Sequence, residues 1–420
     1  MENKNSLNVL ELFAGVGGFR VGLERADSDF FVTKWANQWE PGRKAQDAFD
    51  SYNSHFPDSQ NINEDISTIP DEFFENNNIN LLVGGFPCQD YSVARSLSGG
   101  LGIAGKKGVL FWDIIRVIRL SLPNYVLLEN VDRLLKSPVK QRGRDFLIML
   151  SAFNKLGYSV EWRVINAAEY GLAQRRRRIF IFAYRNDENF YKKQITIADT
   201  DLLLSKGFFA EQFPVEKDSV KNRITEGTIS NDIVEVSDDY SATLYNSGIM
   251  RNGKYLSIET KPVYEKPITL GEILQPEEEV HEKYYVKEEK VEKFKYLRGP
   301  KKIERTSKDG HSYTFSEGSM SETDDLTKPG RTMLTSESSI NRSTHFINVN
   351  GKFRVLTPIE CERLNGFQDD WTNGMPDRMR YFCMGNALVT GIIERIGYRI
   401  KEITPENELT REPIQTELNI

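Results

Sequence analysis

Cysteine is scarce in this chain. Three residues in 420, Cys88, Cys361 and Cys383, give an odd count. That argues against a disulfide framework and for a reducing compartment. Four scattered histidines and no Cys-x-x-Cys pair leave little with which to build a structural zinc site. No apolar run approaches the ~20 residues that cross a bilayer. The polar start Met1-Glu2-Asn3-Lys4-Asn5 lacks a signal-peptide core. These absences point to a cytoplasmic protein with no membrane partner. There is no internal repeat, and the turn after the first strand is not a Gly-x-Gly-x-x-Gly, which disfavours a nicotinamide oxidoreductase. Excess positive charge is also missing. The net charge of −6 argues against a polyanionic partner for the surface as a whole. A cleft, however, needs only local charge. Basic clusters occur at Arg175 to Arg178, at Arg133, Lys136 and Arg144, and at Arg298, Lys301, Lys302 and Arg305.

What is present is enough chain for two domains, with 39% hydrophobic and 28% charged residues, ordinary for a globular protein. Up to about residue 185, strand-like and helix-like segments alternate. Strands are expected over 8–13, 31–36, 81–83, 125–129, 159–165 and 179–184. Helices are expected over 19–25, 42–52, 108–120 and 144–156. This rhythm predicts an α/β fold with a doubly wound, mostly parallel sheet. From about 187 to 350 the chain turns polar and irregular, as a second, smaller domain would. Thr357-Pro358 then caps a helix, and a last helix is expected over 387–400.

Gly84-Gly85-Phe86-Pro87-Cys88-Gln89 follows the apolar run Leu81-Leu82-Val83. A buried strand ending at Gly-Gly delivers a thiol to the sheet edge where ligands bind in open α/β folds. Phe13-Ala14-Gly15-Val16-Gly17-Gly18 is a glycine turn between the first strand and a helix. Its glycines let a ligand approach the backbone. About 20 residues on, Asn37-Gln38-Trp39-Glu40 offers a ribose acceptor and an aromatic wall. Asp65-Ile66 suits an adenine amino group. Glu129 ends a strand at the same edge as Cys88, where burial would raise its pKa and fit it to act as an acid. Alternation through Gln174-Arg175-Arg176-Arg177-Arg178 sends Arg176 and Arg178 to one face, near the thiol and the carboxylate.

These motifs, in this order and closed by Gly385-Asn386, resemble the cytosine-5 DNA methyltransferases of bacterial restriction–modification type. The resemblance covers nearly the whole chain outside its middle. It implies a Rossmann-like methyltransferase sheet and S-adenosylmethionine as methyl donor, leaving S-adenosylhomocysteine. Cys88 resembles the nucleophile that adds to carbon 6 of a flipped-out cytosine, and Glu129 the acid at ring nitrogen 3. Arg178 resembles the ligand of the base carbonyl, and Arg176 a brace for Glu129. The implied cofactor contacts are Phe13, Ala14, Gly15, Gly17 and Gly18, then Gln38, Trp39, Glu40, Asp65 and Ile66, then Pro87, Leu110 and Asn386. The implied DNA contacts are Gln89, Ser92, Arg95 and Lys107 on a mobile loop, with Arg298, Lys301, Lys302 and Thr332 farther on.

Three positions depart from the family pattern. Gln38 stands where an acidic residue usually precedes the Trp, so Gln38 and Glu40 both remain candidates for the ribose. Lys107-Gly108 replaces Arg-Gly, and Phe382-Cys383-Met384 replaces a Gln. The resemblance implies a catalytic domain of residues 1–193 plus 386–420, a target-recognition domain of 194–357 and a hinge of 358–385. It implies a monomer acting on double-stranded DNA at the bacterial nucleoid, genetically paired with a restriction endonuclease. Asn37 to Pro41 further resembles the branch that methylates GATC sites. The rivals are a tRNA cytosine methyltransferase and a non-catalytic DNA-binding relative.

Overall fold

The structure is a computed structural model that describes residues 6–86, 110–138, 140–217, 223–230, 235–236, 242–307 and 310–405. Five runs form parallel strands: β1 (Leu7–Leu12), β2 (Phe31–Asn37), β3 (Gln60–Ile62), β4 (Leu81–Gly85) and β5 (Tyr125–Val131). They lie in the order β3-β2-β1-β4-β5. Leu81, Leu82 and Val83 are fully buried. That is why they read as an unbroken apolar run and not as an alternating one: helices cover both faces of a parallel sheet. Helices Leu110–Ser121 and Arg144–Lys155 pack on one face, and Gly18–Asp27 and Thr390–Ile403 on the other. Among the described residues no helix is long and apolar enough to cross a membrane.

Beyond β5 the pairing turns antiparallel, through β7 (Arg177–Arg185) and β6 (Tyr158–Asn166). Each of the six expected strands is found, with ends within two residues of expectation. The sheet does not stop at the expected domain boundary of 193/194. β9 (Ser247–Arg251) pairs with β6, and β10 (Lys254–Ile258) and β8 (Ile224–Thr228) follow, so this part of the middle segment extends the main sheet. The sequence reading missed this because the runs are short and flanked by polar turns.

A smaller unit follows. It holds helix Glu288–Arg298, the ribbon of β11 (Lys301–Thr306) with β12 (Ser312–Glu317), and the hairpin of β13 (Phe346–Val349) with β14 (Lys352–Val355). Its own core is small, centred on Val291, Phe294 and Phe346. Residues 358–385, expected as a hinge, form two helices, Pro358–Leu364 and Asp377–Asn386, joined through a buried cluster to the first glycine turn. Thr357 starts the first of these with a complete capping box to Glu360. Trp371 between them donates to the Val16 carbonyl at 2.8 Å and stacks on His55.

The helix after β1 and the last helix touch through glycine. A Cβ placed on Gly22 would lie 2.5 Å from Ile393 Cβ and 2.8 Å from the Thr390 carbonyl oxygen. In an isolated helix Gly22→Ala would gain about 1 kcal/mol of propensity. Overpacking at this contact costs more, about 1–3 kcal/mol. Gly22→Ala should therefore lower the unfolding free energy in urea titration. A net gain would mean that the two helices separate easily.

Candidate active site

β1 has β2 on one side and β4 on the other, so the order in which strands are added switches sides between β1 and β4. Ligands bind outside the strand ends at such a point. A cavity of about 570 Å³ opens there.

Glycine shapes this edge. A Cβ on Gly84 would sit 2.9 Å from the Leu12 carbonyl oxygen, and one on Gly85 3.2 Å from a Glu129 carboxylate oxygen. The bare backbone lets the ends of β1, β4 and β5 converge. The first turn is strained as well as open. Phe13 has φ of 54°, a left-handed conformation that non-glycine residues rarely adopt. Gly15, at φ of 57°, has nothing within 4 Å of a Cβ position.

Glu129, at the end of β5, lies against Arg178 of β7, with Nε to Oε1 at 2.8 Å. Burial raises the Glu129 pKa, while Arg178 and Arg176 pull it down. The raised direction fits a group that holds a proton for delivery. Asn130, its neighbour, was not among the expected site residues. Its Nδ2 donates to the Phe86 carbonyl at 2.9 Å and so anchors the chain just before Pro87. Pro87, Cys88, Gln89, Ser92, Arg95 and Lys107 lie outside the described residues.

Arg176 does not brace Glu129 as expected. It is buried and donates to the carbonyls of Met333 at 3.1 Å and Gly385 at 3.0 Å, with a longer bond to Asn386. Alternation does bring Arg176 and Arg178 to the same side, where both line the cavity with Glu129. Arg178 takes the role instead. Burial, with Arg178 nearby, pushes the Arg176 pKa down to about 9.

Of the expected cofactor residues, Phe13, Ala14 and Gly15 line the cavity, with Gln38, Trp39, Glu40, Leu110 and Asn386. Gly17, Gly18, Asp65 and Ile66 do not line it. Gly17 and Gly18 are packing positions, where a Cβ would press on Phe56 at 2.6 Å and Leu388 at 3.0 Å. Asp65 is occupied in capping a short helical turn, accepting from Ser67 N at 3.0 Å and Ser67 Oγ at 2.9 Å. Cys383, one of the departures from the family pattern, lines the cavity too. Burial pushes its thiol up to about 12, so it presents a neutral wall.

Gln38 and Glu40 differ in what is left to them. Gln38 Oε1 accepts from the Gly15 amide at 2.8 Å, bracing the glycine turn. Glu40 Oε2 is buried with no hydrogen-bond partner, and Arg43 Nε stands off at 4.0 Å. Burial raises the Glu40 pKa. Trp39 remains 38% exposed, an open aromatic wall between them.

The expected DNA contacts fare unevenly. Arg298 is not a phosphate ligand: it is buried and bonded to Asp324 at 2.7 Å and to the Thr344 carbonyl at 2.8 Å. Lys301 is largely occupied, donating to the Leu297 carbonyl at 2.9 Å. The Thr332 hydroxyl donates to the Arg175 carbonyl at 2.5 Å, two residues before β7. Lys302 is exposed.

The description "C-5 cytosine-specific DNA methylase" matches residues 7–402. The chain is 60% identical to the Type II methyltransferase M.Sau3AI of Staphylococcus aureus, over 95% of this chain and 96% of that one. It is 32% identical to M.HhaI of Haemophilus parahaemolyticus over 44% of this chain and half of that one. Among solved structures, Spodoptera frugiperda DNMT2 superposes with a TM-score of 0.58 at 15% identity, over 93% of this chain and 98% of that one.

Glu11 lies on β1, two residues before the cavity-lining Phe13. It is wholly buried and accepts from the Tyr52 hydroxyl at 3.0 Å. Burial raises its pKa to about 7 from 4.5. A carboxyl raised in the folded state contributes most at low pH and loses that contribution as pH climbs from its unfolded pKa to its folded one. Glu11→Gln keeps the acceptor and removes the titration. Relative to this variant, the native chain should lose about 3 kcal/mol of unfolding free energy between pH 4.5 and 7. Parallel pH profiles in urea titrations would mean that Glu11 does not titrate there.

Proposed function

The chain belongs to the family of C-5 cytosine-specific DNA methylases, and we propose that it methylates carbon 5 of a cytosine flipped out of double-stranded DNA through a covalent adduct to Cys88. The observation that carries this reading is the half-buried Glu129 carboxyl, held by Arg178 at the cavity edge, in register with the strand end that leads to Cys88. Carbon 5 is out of reach inside a duplex, so the base must leave the stack.

The chemistry assigned to this chain's residues is as follows. The Cys88 thiolate adds to carbon 6 of the base. Glu129 delivers its proton to ring nitrogen 3 as that nitrogen gains electron density, and Arg178 binds the adjacent carbonyl oxygen. The carbon 5–carbon 6 bond becomes enamine-like, so carbon 5 turns nucleophilic. S-adenosylmethionine supplies the methyl group when bound. A base then removes the carbon 5 proton, and its electron pair expels the Cys88 thiolate. Splitting one hard substitution into addition and elimination lowers each barrier. We assign the enzyme to the modification half of a restriction–modification system, where its methyl marks protect the host's DNA from a cognate endonuclease. We assign its place of work to the cytoplasm, on the bacterial nucleoid.

The residues fit the cofactor. The Glu40 carboxylate, whose Oε2 has no hydrogen bond, suits a ribose hydroxyl pair, the Trp39 ring a purine face, and the open Gly15 turn the amino-acid end. We assign the ribose to Glu40 and a bracing role to Gln38. A hydrogen bond to a charged acceptor is worth about 1.5–3 kcal/mol and a neutral one about 1. In calorimetry with S-adenosylhomocysteine, Glu40→Ala should weaken binding roughly tenfold or more. Gln38→Ala should weaken it by no more than about fivefold, through a looser Gly15 turn. The reverse ranking would hand the ribose to Gln38.

The adduct has a direct test. Fluorine at carbon 5 cannot leave as a proton does, so elimination stalls with the thioether intact. Duplex DNA synthesised with 5-fluorocytosine should form a denaturant-resistant complex with the native chain and none with Cys88→Ala. An adduct on the variant would assign the nucleophile elsewhere. An adduct on transfer RNA and not on duplex DNA would favour the tRNA-modifying reading.

A further inference from the structure

The ribbon β11–β12 takes no part in the cavity or in the sheet. Its antiparallel register sorts its side chains into two faces, since directly opposed residues share a face. On one face Lys301 opposes Glu317, Ile303 opposes Phe315 and Arg305 opposes Tyr313. This face turns partly inward. Lys301, Phe315 and Glu317 are half-buried, and the Arg305 guanidinium lies 4.0 Å from the Phe315 ring centre. On the other face Lys302 opposes Ser316, Glu304 opposes Thr314 and Thr306 opposes Ser312. All six of these are exposed. Among the described residues neither the Lys302 nor the Glu304 side chain makes a hydrogen bond or an ion pair.

A two-stranded ribbon is marginal in water by itself, and this one is held at its base. Arg342 donates to the Gly299 carbonyl at 3.3 Å on the entering side and to the Gly318 carbonyl on the leaving side. The Met320 amide donates to the Arg298 carbonyl at 2.8 Å. Arg298 and Arg331 share the Asp324 carboxylate. Arg331 precedes Thr332, whose hydroxyl reaches the Arg175 carbonyl beside the cavity. The ribbon is thus a braced arm joined to the candidate site by a continuous chain of bonds.

We propose that the Lys302, Glu304, Thr306, Ser312, Thr314 and Ser316 face of this ribbon reads base edges in the major groove of the substrate duplex, with Lys302 and Glu304 as its specificity-determining residues. The proposal rests on the methyltransferase reading and narrows target recognition to one element of the middle segment. A two-stranded ribbon fits the major groove. A Lys suits guanine O6 and N7, a Glu accepts from cytosine N4, and a hydroxyl serves either purpose. The exposed carboxylate carries the argument. Phosphates repel it, so a face built to follow the DNA backbone would not carry one beside its lysine.

The test is bisulfite sequencing of a duplex library containing every hexamer, incubated with the native chain, Lys302→Ala and Glu304→Ala. Both substitutions lie on exposed side chains and leave the core intact. The native chain should methylate one motif. Each variant should admit motifs altered at one base, raising their rate relative to the native motif roughly ten- to a hundredfold. Affinity for S-adenosylhomocysteine should not change. A shortened ribbon, with Ile303 joined to Phe315 through Asn-Gly, keeps Lys302 and loses Glu304, so it should relax the motif at the Glu304 position. If the variants keep the native motif, or lose methylation equally on all duplexes as phosphate ligands do, the ribbon's role is overturned and the activity reading stands. If the native chain methylates nothing, the activity reading falls, and the ribbon's role with it.

Discussion

The site depends on two glycines at the end of β4 whose missing side chains leave room for the neighbouring strand ends. At Gly84 and Gly85 any Cβ would meet the Leu12 carbonyl or the Glu129 carboxyl. Because nothing projects there, three strand ends converge within reach of one small cavity. That convergence half-buries Glu129, and desolvation raises its pKa against the pull of two arginines. The geometry of the sheet edge and the protonation of its acid are therefore one constraint. The strained Phe13 belongs to the same edge, and such strain persists only where the surroundings enforce it.

A second joint ties the sheet to the rest of the chain. Gln174, fully buried, donates to the Asn365 side chain at 3.0 Å and accepts from the Met333 amide at 3.0 Å. Arg176 gathers carbonyls from 333, 385 and 386. Two side chains two residues apart thus hold the smaller unit and the late helices against the candidate site. The Gln-x-Arg-x-Arg motif divides its labour: its first two named residues build the joint, and the last serves Glu129.

The smaller unit holds together differently. Its apolar cluster is slight, and buried polar groups do much of the ordering. Arg298 and Arg331 share Asp324, and His345 meets Glu337 at 3.0 Å. Dehydrating the Arg298, Arg331 and Asp324 charges offsets most of their attraction. A unit ordered in this way presents side chains at defined positions while burying little apolar surface. That suits an element whose outer face meets a polar partner.

Much was legible in the sequence wherever short-range physics decides. The apolar runs before Gly-Gly and before Glu129 had to be strands, and Thr357-Pro358 had to start a helix. The cavity wall at Phe13 to Gly15 and at Trp39 to Glu40 could be read from turn chemistry and spacing. Tertiary structure decided what depends on partners far away in sequence. Only there does Gln38 spend its amide oxygen on Gly15, leaving Glu40 free. Only there is Arg298 buried on Asp324, and Arg176 drawn to the late helices and not to Glu129. The extension of the sheet through β9 is also a long-range pairing, with no local signature in a five-residue polar-flanked run. Sequence determines which groups are available. The fold determines which of them are already occupied, because a hydrogen-bonding group satisfied inside the protein has little left to offer a ligand.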